Sequence, residues 1–292
     1  MKKILILIVT AVFITSCEFS EECNYTGSVE LSLDWESLWG NLQKPDSLSV
    51  FFYREGTFSA GKGLLGNTTD TLYNNIPSGN SNMVIFNHPQ EIESHSLVEL
   101  SDAELRLPTY FEGNIRPVRE CPMICQMSND ILVPIEGTAK QGVSPLPIVK
   151  QMVFTVNVIR EGITGELTAC NASLSGISTG YSFSNNMATR TKSTVFFPLE
   201  KKKEIDSFTH SFFVLGVNPD KEGEEDITKK LSITVTLSDG EVKSTDFDLS
   251  DQLNSFNSNI FKCEVDVTVT SLSATIAIVG WQQGTWQSIE IQ

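Results

Sequence analysis

Apolar and polar residues alternate along most of this chain. Val29, Leu31, Leu33 and Trp35 are separated by Glu30, Ser32 and Asp34. A period of two lays one face of a strand on a core and leaves the other to water. The same pattern predicts strands over 48–53, rich in aromatic residues, and over 83–86, after a turn cluster of Asn74, Asn75, Pro77, Ser78 and Gly79. A second block begins near Val153. Phe154, Val156 and Val158 alternate with Thr155 and Asn157, and 195–199 and 211–215 continue the series. The clearest hairpin joins 231–237 to 241–247 through Asp239-Gly240, a dipeptide suited to the positive φ values of a type I′ turn. Val265, Val267 and Val269 mark another strand. Leu249, Leu253 and Phe256 carry a helical spacing, with Asp248 or Ser250 as the cap. Residues 96–125 are irregular, broken by Pro108, Pro117 and Pro122. Many short strands with turn signals and almost no helical period predict an all-β chain of β-sandwiches. Gly142, Ser144, Pro145 and Pro147 separate two strand-rich blocks, which puts a boundary near 138–150.

The first residues follow another pattern. Lys2 and Lys3 precede an apolar run from Ile4 to Ile14. That run is too short for a bilayer core, which needs about 20 residues, and it fits the hydrophobic region of a secretory signal. It ends in Ile14-Thr15-Ser16-Cys17, which resembles the lipobox of bacterial lipoproteins. The resemblance implies cleavage before Cys17 and acylation of that residue. Each buried CH₂ contributes about 0.8 kcal/mol, and more than one chain gives stable anchoring. Glu18, Ser20, Glu21 and Glu22 follow. Acidic residues there resemble the surface-export signal of lipoproteins in some Gram-negative anaerobes, with Ser20, Glu21 and Glu22 as its residues. The expected organisation is a signal peptide over 1–16, an acidic tether over 17–27, an N-terminal sandwich over 28–145 and a C-terminal sandwich over 146–292. The expected location is the outer membrane, lipid-anchored and facing outward.

Charge narrows the function. The chain has 292 residues and a net charge of −15, from 21 Lys and Arg against 36 Asp and Glu. Such acidity argues against nucleic-acid binding, which needs basic residues clustered against phosphate. It also argues against a basic face for anionic lipid. His88, His95 and His210 are the only histidines, which leaves little for a histidine-rich metal site or general-base chemistry.

The candidate chemical motifs each lack a part. Gly56 to Gly63 nearly matches a phosphate-binding loop, yet Gly63 stands where Ser or Thr would hold Mg²⁺, and no helix is predicted after it. Gly176-Ile177-Ser178-Thr179-Gly180 matches a nucleophile elbow, but polar, turn-rich residues follow where a helix is required. Cys121 and Cys125 lack the C-x-x-C spacing of redox and zinc sites, and a local disulfide between them is the expectation. Cys23, Cys170 and Cys263 leave their pairing open, and with Cys17 given to lipid an odd number of thiols remains. Asp220 to Asp226 reads as a solvated loop rather than a Ca²⁺ site, since it lacks alternate-ligand spacing. Trp35 and Trp281 lie in strand patterns and are expected in the core. Trp39 and Trp286 are the freer candidates for stacking on a sugar.

Four features, in order, resemble the fimbrillin-associated anchoring lipoproteins, minor-fimbrium subunits of Gram-negative anaerobes. They are the lipobox followed by a strand ending in Asp34-Trp35; Ile76-Pro77-Ser78-Gly79 leading to Phe86-Asn87; Ala172-Ser173-Leu174-Ser175-Gly176-Ile177; and the run from Asp239-Gly240 through Asp248-Leu249-Ser250 to Gly280-Trp281 and a final strand at Ile289 to Ile291. The resemblance implies two tandem transthyretin-like Greek-key β-sandwich domains, no catalytic residue, no metal and no cofactor. It implies a role at the base of a fimbrium, with fimbrillin-type structural subunits as partners. The alternative is a surface glycan-binding lipoprotein. An anchor cannot lose its first strand without losing its lipid. The expected docking of the next subunit is therefore through a lateral strand edge or loops, a form of β-augmentation where an edge is used.

Overall fold

The computed structural model describes residues 25–35, 44–65, 70–109, 117–118, 120–189, 191–202, 206–218, 225 and 227–285. The N-terminal strands are β1 (Thr26–Leu33), β2 (Ser47–Arg54), β3 (Thr57–Leu65), β4 (Asp70–Pro77), β5 (Gly79–Phe86), β6 (Glu93–His95), β7 (Glu104–Arg106), β8 (Pro117–Val118), β9 (Cys125–Val133), β10 (Thr138–Val143) and β11 (Leu146–Pro147). Then come β12 (Lys150–Glu161), β13 (Leu167–Ile177), β14 (Gly180–Ser182), β15 (Met187–Thr189), β16 (Ser193–Lys201), β17 (Ser207–Val214), β18 (Lys230–Leu237) and β19 (Val242–Asp248). A single-turn helix, α1 (Ser250–Asn254), precedes β20 (Ile260–Thr270) and β21 (Ala274–Gly284). The chain is all-β and sandwich-like.

In the N-terminal half a sheet ordered β10-β1-β4 faces a sheet ordered β11-β9-β5-β2-β3. The period-two residues meet between them: Val29 and Leu31 from β1, Val50 and Phe52 from β2, Met83 and Ile85 from β5, with Trp35 buried at the rim. In the C-terminal half the order is β19-β18-β13-β16-β17-β12-β20-β21. β16 reaches β17 only at Glu200 and Lys201, so the chain turns a corner there and the two flanks face each other. Phe154 is central, with its ring 5.5 Å from Phe197, 6.1 Å from Phe212 and 6.2 Å from Phe261.

A third core joins the halves. Residues Met83 to Phe86 are all buried, because the sheet that holds β5 is covered on both faces. On the second face Tyr53, Val84 and Phe86 pack with Leu105, Cys121 and Ile124, and with Val149, Tyr181, Phe183 and Leu215 from the C-terminal half. A small sheet ordered β15-β14-β7-β6 also draws strands from both halves.

Several local expectations change. The predicted turn at 74–79 contracts: Asn74 to Pro77 belong to β4, Asn75 takes a positive φ of 60°, and the chain reverses around Ser78. The hairpin at 239–240 forms with another turn. Gly240 has φ 87°, Asp239 does not share a positive φ, and the Gly240 N–H donates to the Leu237 carbonyl at 3.0 Å. This is a three-residue loop with a left-handed third residue. The two-residue pair of positive φ values sits instead at Glu55 (51°) and Gly56 (84°), between β2 and β3. The helix spans a single turn. The Asp248 carboxylate accepts the Ser250 N–H at 2.8 Å, and Leu249 and Leu253 are buried.

Candidate functional site

Cys17, Ser20, Glu21 and Glu22 lie outside the described residues, as do Trp39 and Trp286. Tyr25 is the first described residue, and its carbonyl accepts the Ser78 N–H at 2.9 Å. β1 is then held on both sides, in parallel to β10 and antiparallel to β4. No helix among the described residues is long and apolar enough to cross a membrane.

The motifs that resemble chemical sites are structural. Gly56 closes a hairpin, and Gly61 and Gly63 lie within β3, so no helix N-terminus follows for a phosphate. Ser178 is fully buried between β13 and β14, and its hydroxyl donates to the Thr189 carbonyl at 2.5 Å. That is a strand-turn-strand, without the helix of a nucleophile elbow. His210 stacks on Phe197 with ring centroids 5.6 Å apart, and its Nε2 meets Glu120 Oε1 at 2.6 Å. Among the described residues no group of three His, Cys, Asp or Glu side chains could hold a metal.

The structure corrects the cysteine reading. Cys121 and Cys125 are free, buried thiols and form no disulfide. They belong to different cores on opposite faces of one sheet. Cys125 points between the N-terminal sheets, while Cys121 joins the core shared with the C-terminal half. The Cys125 N–H donates to Asn87 Oδ1 at 2.7 Å, and Asn87 Nδ2 donates to the Met123 carbonyl at 2.8 Å. Phe86-Asn87 thus ties β5 to the segment entering β9. Cys170 and Cys263 are also free and buried.

Three surfaces among the described residues offer places for a partner. The first is the pair of outer strands of the C-terminal sandwich. β19 pairs only with β18, and β21 only with β20, among the described strands. The two strands approach each other across a seam, near one end of which Lys243 Nζ donates to the Ser271 carbonyl at 2.8 Å. Beneath it Phe247, Ile276 and Ile278 are only partly buried. Val279 is 56% and Trp281 37% exposed on β21, so the expectation of a core Trp281 fails: its ring lies against Phe261 at 6.0 Å with the other side open. The second is a polar groove of about 610 Å³ lined by Glu93, Glu104, Arg106, Thr179, Thr189 and Thr191. Glu104 pairs with Arg106 at 2.6 Å and accepts the Thr189 hydroxyl at 2.8 Å. The third is a mainly apolar cleft of about 730 Å³ whose walls include Met127, Leu146, Met187 and Phe256, with Gln126 and Lys150 as polar members. Sequence reasoning missed the groove and the cleft. Their walls come from β7, β9, β11, β14 and β15, brought together across 80 residues or more with no local periodicity to announce them.

No family model matches the chain, and no curated protein matches it. Solved structures do. A candidate adhesin from Bacteroides ovatus aligns with a TM-score of 0.61 at 16% identity, over 79% of this chain and 85% of that one. The fimbrial anchor protein Mfa2 from Porphyromonas gingivalis aligns at 0.55 and 13% identity, over 88% and 96%. A candidate polysaccharide-binding protein from Bacteroides thetaiotaomicron aligns at 0.54 and 9% identity, over 88% and 98%. This chain therefore shares its fold, over most of its length, with a fimbrial anchor protein and with candidate adhesins and a candidate polysaccharide-binding protein of Bacteroides.

Proposed function

We propose that this protein is a non-enzymatic, lipid-anchored subunit of the outer-membrane surface that anchors or initiates a fimbrium, with fimbrillin-type subunits as partners. The observation that carries this reading is the seating of the tether. The chain passes from the expected anchor at Cys17 into β1, which is paired along both edges and supplies Val29 and Leu31 to the core. Load on the lipid is thus carried into the sheet by two hydrogen-bonded ladders. Removing β1 would destroy the N-terminal core, so an anchor of this design keeps its own first strand. The half-paired β21, with Val279 56% and Trp281 37% exposed, supports lateral docking of the next subunit by strand addition. The test is co-purification from the cell surface. The native chain should bring fimbrillin-type subunits with it, and Cys17→Ala should release a folded protein from the membrane fraction. Recovery of no fimbrial subunit would overturn the reading.

One observation favours a second reading, glycan binding. The Glu93–Glu104–Arg106 groove is lined by hydroxyls, carboxylates and a guanidinium, the groups that bond sugar hydroxyls. Affinity electrophoresis through polysaccharide gels would reveal retardation that Arg106→Ala removes.

A further inference from the structure

The cleft between the halves holds an ammonium without a carboxylate and an amide nitrogen without a partner. Lys150 is half-buried in it; its ammonium donates to Asn259 Oδ1 at a long 3.3 Å and lies 5.9 Å from the Phe256 ring. Gln126 is 95% buried, and its Nε2 has no hydrogen-bond partner. No Asp or Glu is among the described residues that line the cleft, so both groups are donors without a carboxylate. Around them Leu146 and Met187 are 48% and 58% exposed. The site calls for a segment that is apolar and carries an acid.

The topology brings the end of β21 to its mouth. Asn259 ties the start of β12 to the end of β21: its carbonyl accepts the Gln151 N–H at 2.8 Å, its N–H donates to the Gly284 carbonyl at 3.1 Å, and its side chain accepts from Lys150. β21 therefore ends beside the cationic end of the cleft. The residues that follow are Trp286-Gln287-Ser288-Ile289-Glu290-Ile291-Gln292. Seven residues reach about 24 Å when extended. Leu146, the partner of Gln126 in the ladder, lies four residues from Lys150, a separation of about 14 Å at most. Residues 286–292 are long enough to run from one donor to the other.

We propose that the cleft is the docking site of this chain's own residues 286–292, with Ile289 and Ile291 on the apolar walls and the Glu290 carboxylate paired with Lys150. The inference does not depend on the anchoring role, and a partner that uses the cleft has to displace this segment. The test is fluorescence-anisotropy titration with a fluorescein-labelled peptide of residues 286–292. A chain ending at Thr285 should bind the peptide, and the full chain should bind it at least about tenfold more weakly because its cleft is filled. The full-length Glu290→Lys variant, which keeps every core residue, should bind the wild-type peptide as the shortened chain does. Adding Lys150→Glu to the shortened chain should abolish binding. Equal binding by the full and shortened chains would show a cleft left open for a partner and overturn the proposal. So would absence of binding to both the shortened chain and Glu290→Lys, or a full-length dimer that dissociates on removal of 286–292.

Discussion

Phe154 shows how much one side chain holds. It is fully buried, and three other Phe rings lie within 6.2 Å of it, drawn from β16, β17 and β20. Phe154→Ala removes the ring and leaves a cavity that strands fixed by their ladders cannot close. It should cost about 3–5 kcal/mol, read as a lowered urea midpoint at unchanged slope. The buried thiols supply a second prediction at this scale. Burial pushes Cys125, Cys170 and Cys263 up to about 12, and Cys121 higher still; Glu264 adds to the effect on Cys263. Tyr53, Tyr73 and Tyr181 are likewise raised to about 12 by burial. In the unfolded chain thiols ionise near 8.5 and phenols near 10. Above those values the unfolded state has released protons that the native state still binds, so stability falls as pH rises. Thermal midpoints should hold below pH 8 and decline from about pH 8.5 to 12. At pH 8 Cys121, Cys125, Cys170 and Cys263 should resist a thiol reagent and react once urea unfolds the chain.

Among the elements, the long strands with one buried face were legible. In β1, β12, β18 and β20 alternation alone places Val29, Phe154, Ile233 and Val267 in a core, as the structure has them. The short strands were not legible, because two or three residues carry no period. Glu104–Arg106 becomes strand because Glu93–His95 on one side and Gly180–Ser182, more than 70 residues on, on the other supply its ladders. Turn chemistry was half legible: Asp239-Gly240 marked the reversal, but the added residue that makes it a three-residue loop depends on strand register. Trp281 misled for a related reason: its strand is hydrogen-bonded on one side alone among the described strands, so the ring that stacks on Phe261 stays 37% exposed at the edge of the core. Val279→Lys places a charge on the outward edge strand, where lysine opposes strand addition. The substitution should alter stability by no more than about 0.5 kcal/mol, because Val279 is 56% exposed. It should also sharply reduce the fimbrial subunits that co-purify with the protein. Undiminished recovery would move docking away from β21.

At the scale of the molecule, the chain reads as two strand-rich blocks, but its physics is that of one cooperative body. The core around Tyr53, Phe86, Phe183 and Leu215 is built from both halves, and neither half alone covers the second face of the β5 sheet. Exposing that face would uncover Val84 and Phe86, which are almost wholly buried now. Each half therefore owes part of its stability to the other, and partial unfolding of one should carry the second with it. Calorimetry should give a single transition with matching calorimetric and van't Hoff enthalpies. Phe183 is the contact to break, with its ring 4.7 Å from Phe86 and 6.4 Å from Tyr181. Phe183→Ala should cost about 3–5 kcal/mol and lower one undivided transition by about 10 °C. A split into two transitions in the variant, with the native chain still melting as one, would locate the coupling in this ring. Two transitions in the native chain would instead mean that the halves fold independently. The distinction matters for a tethered subunit: in a coupled body, force entering at β1 is shared by the distant sandwich, whereas independent halves would leave the three-stranded sheet to bear it alone.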